Sequence, residues 1–179
     1  RAACDSGAGS EGCHRGYEFL VGSWGLSFRL INTWASNMLV VDISEPFDDN
    51  MWHYAVVTYD GGGDESGVNI YIDNVLREHT IHTNSLSETI VNNLPLRIGG
   101  NGEDAGGSGM IDEASIWNEA ITAAEITVLY NSGTPIDASS NSGNYTSSAN
   151  LKGYWRFGEN TSTTAYDISG NGNHGTLTH

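Results

Sequence analysis

Residues 52–81 read WHYAVVTYDGGGDESGVNIYIDNVLREHTI, and their pattern decides the fold class. In WHYAVVTY, Trp52, Tyr54, Val56 and Thr58 fall on one face of an extended strand, and His53, Ala55, Val57 and Tyr59 fall on the other. Both faces are largely apolar, which predicts a central strand of a two-layer sandwich. VNIYI then alternates with period two, Asp73-Asn74 is a two-residue hairpin signal, and residues 75–81 return as the partner strand.

Outward from this block the same grammar repeats. Residues 17–21 and 26–31 read as strands parted by the turn cluster Gly22-Ser23-Trp24-Gly25, and residues 38–43 form a third run ended by Glu45-Pro46. Residues 94–98 and 110–117 are further strands on either side of a glycine-rich loop. One helix stands out. Thr122-Ala-Ala-Glu125 is a capping box, Ile126, Leu129 and Tyr130 give it a buried stripe, and Gly133 with Pro135 stops it. Residues 135–149, biased to Asn, Ser, Gly and Thr, read as a polar linker. The expectation is an all-β antiparallel sandwich with one short helix.

Composition agrees. Of the 179 residues 38% are hydrophobic, 16% are charged and 23 are glycine, the profile of a turn-rich β protein with a usable core. The net charge of −15 argues against nucleic acid and anionic membrane surfaces as partners, because both repel a polyanion. No apolar run approaches the roughly 20 residues of a membrane span. The chain begins at Arg1, which reads as a processed product or an excerpt. Cys4 and Cys13 close a short loop within residues 1–15, and a local disulfide there places the protein outside the cytosol, extracellular or at the cell surface. Asn144-Tyr145-Thr146 and Asn160-Thr161-Ser162 are N-glycosylation sequons, a pattern that an Asn/Ser/Thr-rich chain also produces by chance.

Several motifs together resemble the LamG-like jelly-roll family, within the concanavalin A-like lectin/glucanase superfamily that includes pentraxins. They are Trp52-His53-x-Ala55 with Tyr59-Asp60-Gly61, Ile70-Tyr71-Ile72-Asp73-Asn74, Pro95-Leu96-x-Ile98-Gly99, Gly109-x-Ile111-Asp112-Glu113 and Ile116-Trp117-Asn118, then Ala120-Ile121-Thr122 through Leu129-Tyr130. The resemblance covers residues 14–133 and, separately, 150–178, and it implies a jelly-roll sandwich over residues 16–134. The order of the segments departs from the family. Tyr154-Trp155-x-Phe157 followed by Tyr166-Asp167-x-Ser169-Gly170-Asn171-Gly172-Asn173-His174-Gly175 resembles a module's opening, yet residues 150–179 follow its ending. Three explanations stand: an excerpt of a tandem array of neighbouring LamG-like modules, a circular permutant, or a segment donated to another subunit. A sandwich lacking its first strands exposes edges that pair with any available strand. A linker of roughly fifteen residues reaches several tens of ångströms when extended. Donation of that kind builds rings or fibres.

The resemblance also implies structural Ca²⁺, with Asp112, Asp167, Asn171 and Asn173 as candidate ligands. Asp167-x-Ser-Gly-Asn-Gly-Asn is an oxygen-rich turn of the kind Ca²⁺ prefers, and equally a set of tight-turn formers. Catalysis has little footing. The superfamily's glucanases carry Glu-x-Asp-x-(x)-Glu on one strand, a spacing absent here, and the adjacent Asp112 and Glu113 point to opposite faces of a strand. His53 reads as a packed strand residue, and the histidines show no metal-binding spacing. Tyr17, Trp24 and Trp34 are candidates for stacking on a sugar ring, with Trp52, Trp117 and Trp155 assigned to the core. Two functions compete. One is a non-enzymatic, self-assembling extracellular protein of a fibre, tubule or surface layer, whose C-terminal strand completes a neighbouring copy. The other is a carbohydrate- or protein-binding adhesion module excised from a larger secreted protein. Only the first uses the segment order, the missing strands and the linker together, and it is the expectation carried forward.

Overall fold

The computed structural model describes residues 15–46, 49–100, 109–158 and 163–177; the expected Cys4–Cys13 disulfide and the Asn160 sequon lie outside the described residues. Among the described residues eleven strands and one α-helix follow in order: β1 (Gly16–Gly22), β2 (Gly25–Thr33), β3 (Asn37–Ile43), β4 (Ala55–Tyr59), β5 (Val68–Ile72), β6 (Val75–Arg77), β7 (Thr80–Asn84), β8 (Ala114–Trp117), α1 (Ala123–Tyr130), β9 (Leu151–Trp155), β10 (Thr164–Ala165) and β11 (Gly175–Thr176). The expected architecture holds: mostly β, antiparallel, with one short α-helix. The described residues fall into two compact units, one drawn from residues 1–53, 59–70 and 76–108, the other from 54–58, 71–75 and 109–179.

The first unit is organised by a sheet in the order β1-β2-β3-β7. Pairings Phe19↔Phe28 and Phe28↔Val41 put Phe19, Phe28 and Val41 on one face, together with Leu26, Leu30, Leu39 and Ile43. β2 is buried along nearly its whole length on both faces, so it is the enclosed strand that the sequence pattern had placed at residues 52–59. The hairpin from β1 to β2 depends on Gly25. Its φ is +123°, and a Cβ there would lie 1.9 Å from the Ile43 carbonyl oxygen. Behind the sheet Arg29 reaches Glu18 at 3.4 Å, donates from Nε to the Ser27 hydroxyl at 3.1 Å and lies over the Trp34 ring.

Four strand expectations need correction. Residues 52–59 yield only β4, which stands at one end of the sheet β4-β5-β6, and Trp52 is 61% exposed rather than core. Asp49 draws His53 away from the strand through an Nε2–Oδ1 contact of 3.1 Å. Residues 75–81 do turn at Asp73-Asn74, both left-handed as a type I′ turn requires. The returning chain then breaks at Glu78-His79, so that β6 stays with β5 while β7 joins β3. Residues 94–98 form no strand, since Pro95 lacks an amide donor and Gly99 and Gly100 turn the chain immediately afterwards. Residues 110–117 shorten to β8, because Glu113 sits at φ 54°, where no ladder continues.

The second unit has its own core of Val56, Ile121, Ile126, Leu129, Ala138, Tyr145, Leu151 and Tyr154. Ala138 and Tyr145, within the stretch read as a polar linker, belong to this core. Tyr145 is fully buried, its hydroxyl donating to the Ala138 carbonyl at 2.7 Å and accepting from the Trp117 indole at 3.0 Å. A lone large aromatic among small polar residues was the available cue, and composition averaged it away. No helix among the described residues is long and apolar enough to cross a membrane.

Candidate functional site

The C-terminal segment is seated on its own chain. β9 pairs antiparallel with β8, Ala114 opposite Trp155 and Ser115 opposite Tyr154, with a bulge before Trp117↔Leu151. Gly153 permits this: a Cβ there would collide with the Trp155 ring, which folds back over it. The Asn118 amide donates to the Asn150 carbonyl at 3.0 Å, and the Asn150 side-chain amide donates to Glu119 at 2.6 Å.

Two carboxylates fasten the segment, Glu125 buried and Glu113 partly buried. Glu125 completes the predicted capping box, its Oε2 accepting from the Thr122 amide at 2.9 Å. Its Oε1 turns to the segment and accepts from the Thr146 amide at 3.1 Å and the Ser147 hydroxyl at 2.6 Å. Burial raises its pKa, but the Ser147 hydroxyl and the Thr122 and Thr146 donors outweigh that and hold it down at about 2. Glu113 accepts from the Tyr154 hydroxyl with one oxygen and from Arg156 Nε at 2.8 Å with the other. Burial first, and the Glu113 carboxylate second, push the Tyr154 phenol up.

The candidate calcium ligands have a different role here. Asp167, 5% exposed, accepts from the amides of Tyr154 at 3.0 Å, Ser169 at 2.9 Å and Asn173 at 2.8 Å. The Ile168 amide returns a bond to the Tyr154 carbonyl at 2.9 Å. Asn171 and Asn173 donate their side-chain amides to the Leu151 and Lys152 carbonyls at 2.8 and 2.7 Å. The loop thus behaves as a surrogate strand along the edge of β9, made of side chains and covering an edge that would otherwise invite pairing. Burial raises the Asp167 pKa, and the Ser169 hydroxyl with the three amides lowers it further than burial lifts it.

This arrangement does not fit a calcium ion. Ca²⁺ needs six to eight oxygens turned inward. Here the Asp167 oxygens receive amide hydrogens, and both asparagines turn their nitrogens to β9. Asp112, the fourth candidate, is exposed and accepts from the Glu113 amide at 2.8 Å. Among the described residues no group of three or more His, Cys, Asp and Glu side chains is placed to hold a metal.

Beside Glu113, a cavity of about 10 Å³ lined by Tyr54, Ser115, Trp117, Ile136 and Tyr154 has room for one water. The sugar-stacking candidates do not converge. Trp24 lies in the turn between β1 and β2, and Trp34 follows the far end of β2. Tyr17 pairs with Leu30, on the face opposite the Arg29 that Trp34 covers. Asn144 is exposed in a turn closed by the Ser142–Tyr145 bridge. Sequence reasoning missed Glu113, Tyr145 and the second half of Glu125's role; for Glu125 the capping box was visible, but its other oxygen faces residues twenty-one positions on.

No curated protein and no solved structure matches the chain. Residues 1–127, well over half of it, match a laminin G family model described as the concanavalin A-like lectin/glucanases superfamily, and the chain belongs to that family.

Proposed function

We propose that this chain is an extracellular, non-catalytic binding module for glycans or proteins, closed by its own C-terminal segment. The family match carries the reading, since domains of this kind are generally binding modules. The engagement of Glu113 and Glu125 supports it, because both carboxylates near the closure already hold structural partners rather than facing an open cleft. With Tyr17, Trp24 and Trp34 apart, a glycan would meet single aromatic contacts, Trp24 being the most exposed of the three at 51%. Screening against a glycan panel and extracellular matrix proteins tests the reading. Specific binding with Kd below about 1 mM supports it, and none across both panels sinks it.

Self-assembly through exchange of the C-terminal segment between copies is a second reading. It is favoured by one observation: the bonds that seat the segment join it to β8, α1 and the residues beside them, and each could be made to another copy. A glycan on Asn144 belongs to either reading, and an Asn144→Gln comparison by mass reads it directly. Calcium enters only through a rearranged loop in which Asp167 gives up its amide partners.

A further inference from the structure

Helix α1 ends in an unusual reversal. Asn131, Ser132 and Gly133 take φ of 41°, 56° and 83° in succession, and two of the three are not glycine. Single left-handed residues commonly close helices, but consecutive non-glycine ones are strained. The reversal is exposed from residue 131 to residue 135. Its described bonds are local, the Asn131 amide to the Thr127 carbonyl and the Asn131 side chain to the Thr134 carbonyl at 3.0 Å.

Several residues after the reversal sit on what precedes it. Ala138, Tyr145, Leu151 and Tyr154 enter the core formed with Val56, Ile121, Ile126 and Leu129. Thr146 and Ser147 satisfy Glu125, Tyr145 accepts from Trp117, and β9 completes β8. No bond in this set depends on the two halves sharing one chain. Straightening residues 131–133 would relieve the strain and lose none of those contacts if a second copy received the arm.

We propose that Asn131–Gly133 is the hinge of a domain exchange between two copies of this chain, and that the exchanged arm is residues 134–177. This rests on the self-assembly reading above and sharpens it. Because Ala138, Tyr145 and Ser147 are buried with β9, the arm leaves as one body with it. Reciprocal exchange closes a dimer, and one-way exchange gives an open chain. Short strained hinges are the known route to such exchange.

The test is a Glu119→Cys/Asn150→Cys pair in the full chain, placed where these side chains now touch. After mild oxidation, peptide mass mapping reads whether the 119–150 bond lies within or between chains, and light scattering gives the mass. Three hinges are compared: native, the strain-relieved Asn131→Gly/Ser132→Gly, and a deletion of Ser132 and Gly133. The proposal expects the deletion to give dimers or larger species with the bond between chains. It expects the glycine pair to lower the exchanged fraction of the native hinge by about tenfold at equal concentration. A deletion variant that stays monomeric with the bond within the chain overturns it. If the deletion variant does not fold, a glycine pair that exchanges as readily as the native hinge overturns it instead. Oligomers whose 119–150 bonds all lie within chains would also overturn the hinge, while leaving self-assembly through another surface standing. Monomers alone, with every hinge, would end both.

Discussion

The β1-β2-β3 ribbon and the β8-β9 closure are both antiparallel sheet, yet they are held by different physics. In the ribbon, neighbours in space are neighbours in sequence, the turns are short, and alternating apolar residues set the register. In the closure, strands more than thirty residues apart meet, and charged or polar side chains fix them: Glu113, Glu125, Asp167, Asn171 and Asn173. A ribbon can be read by periodicity. A closure made of buried carboxylates can be read only by knowing who stands opposite whom.

The sharpest way to break the closure is to hollow it. Tyr145→Ala removes a fully buried ring and two hydrogen bonds, with an expected loss of about 3–5 kcal/mol in urea unfolding, while Tyr145→Phe loses about 1–2. The matching blow to the ribbon is Gly25→Ala, where the left-handed backbone and the Ile43 carbonyl both oppose a Cβ; about 3 kcal/mol is expected in the same assay.

Glu125→Gln separates the regions by pH. It is expected to cost about 2–3 kcal/mol at neutral pH, because a buried charged acceptor of several donors is lost. The folded pKa, about 2, lies below the unfolded carboxyl value. The stabilisation is therefore complete above the unfolded value and fades as pH falls towards 2. Asp167, also lowered, acts in the same direction. The variant should flatten the acid limb of the stability curve, and an unchanged limb would assign acid sensitivity elsewhere.

Smaller effects refine the picture. Arg156→Ala, at a side chain 46% exposed, should lose only about 0.5–1 kcal/mol despite its 2.8 Å contact with Glu113. Adding Ca²⁺ and then chelator should move Tm by less than about 2 °C, since the Asp167 loop is already satisfied by amides; a larger, saturable rise would restore a calcium site.

Much of the fold was legible because it is periodic or local. The Thr122–Glu125 capping box, the Asp73-Asn74 turn and the strands of β1, β2, β3 and β5 follow directly from residue identity and spacing. The failures share a cause. Residues 135–149 look polar by composition, yet Ala138, Tyr145 and Ser147 are buried. Residues 110–117 alternate well, yet one left-handed residue, Glu113, ends the strand. Asp167, Asn171 and Asn173 read as cation ligands by residue type, but oxygen-rich loops bind backbone amides as readily as cations, and only the partner atoms distinguish the two.

In this structure the C-terminal segment closes the sheet of its own chain. Amide hydrogen exchange on the isolated monomer, at a concentration too low for exchange between copies, tests it most directly. The amides of Gly153, Tyr154 and Trp155 are expected to be protected to a degree approaching those of Leu30 and Val40 in the ribbon. Rapid exchange at residues 153–155 beside a fully protected ribbon would contradict it, and would mean that the segment finds its place only on another molecule.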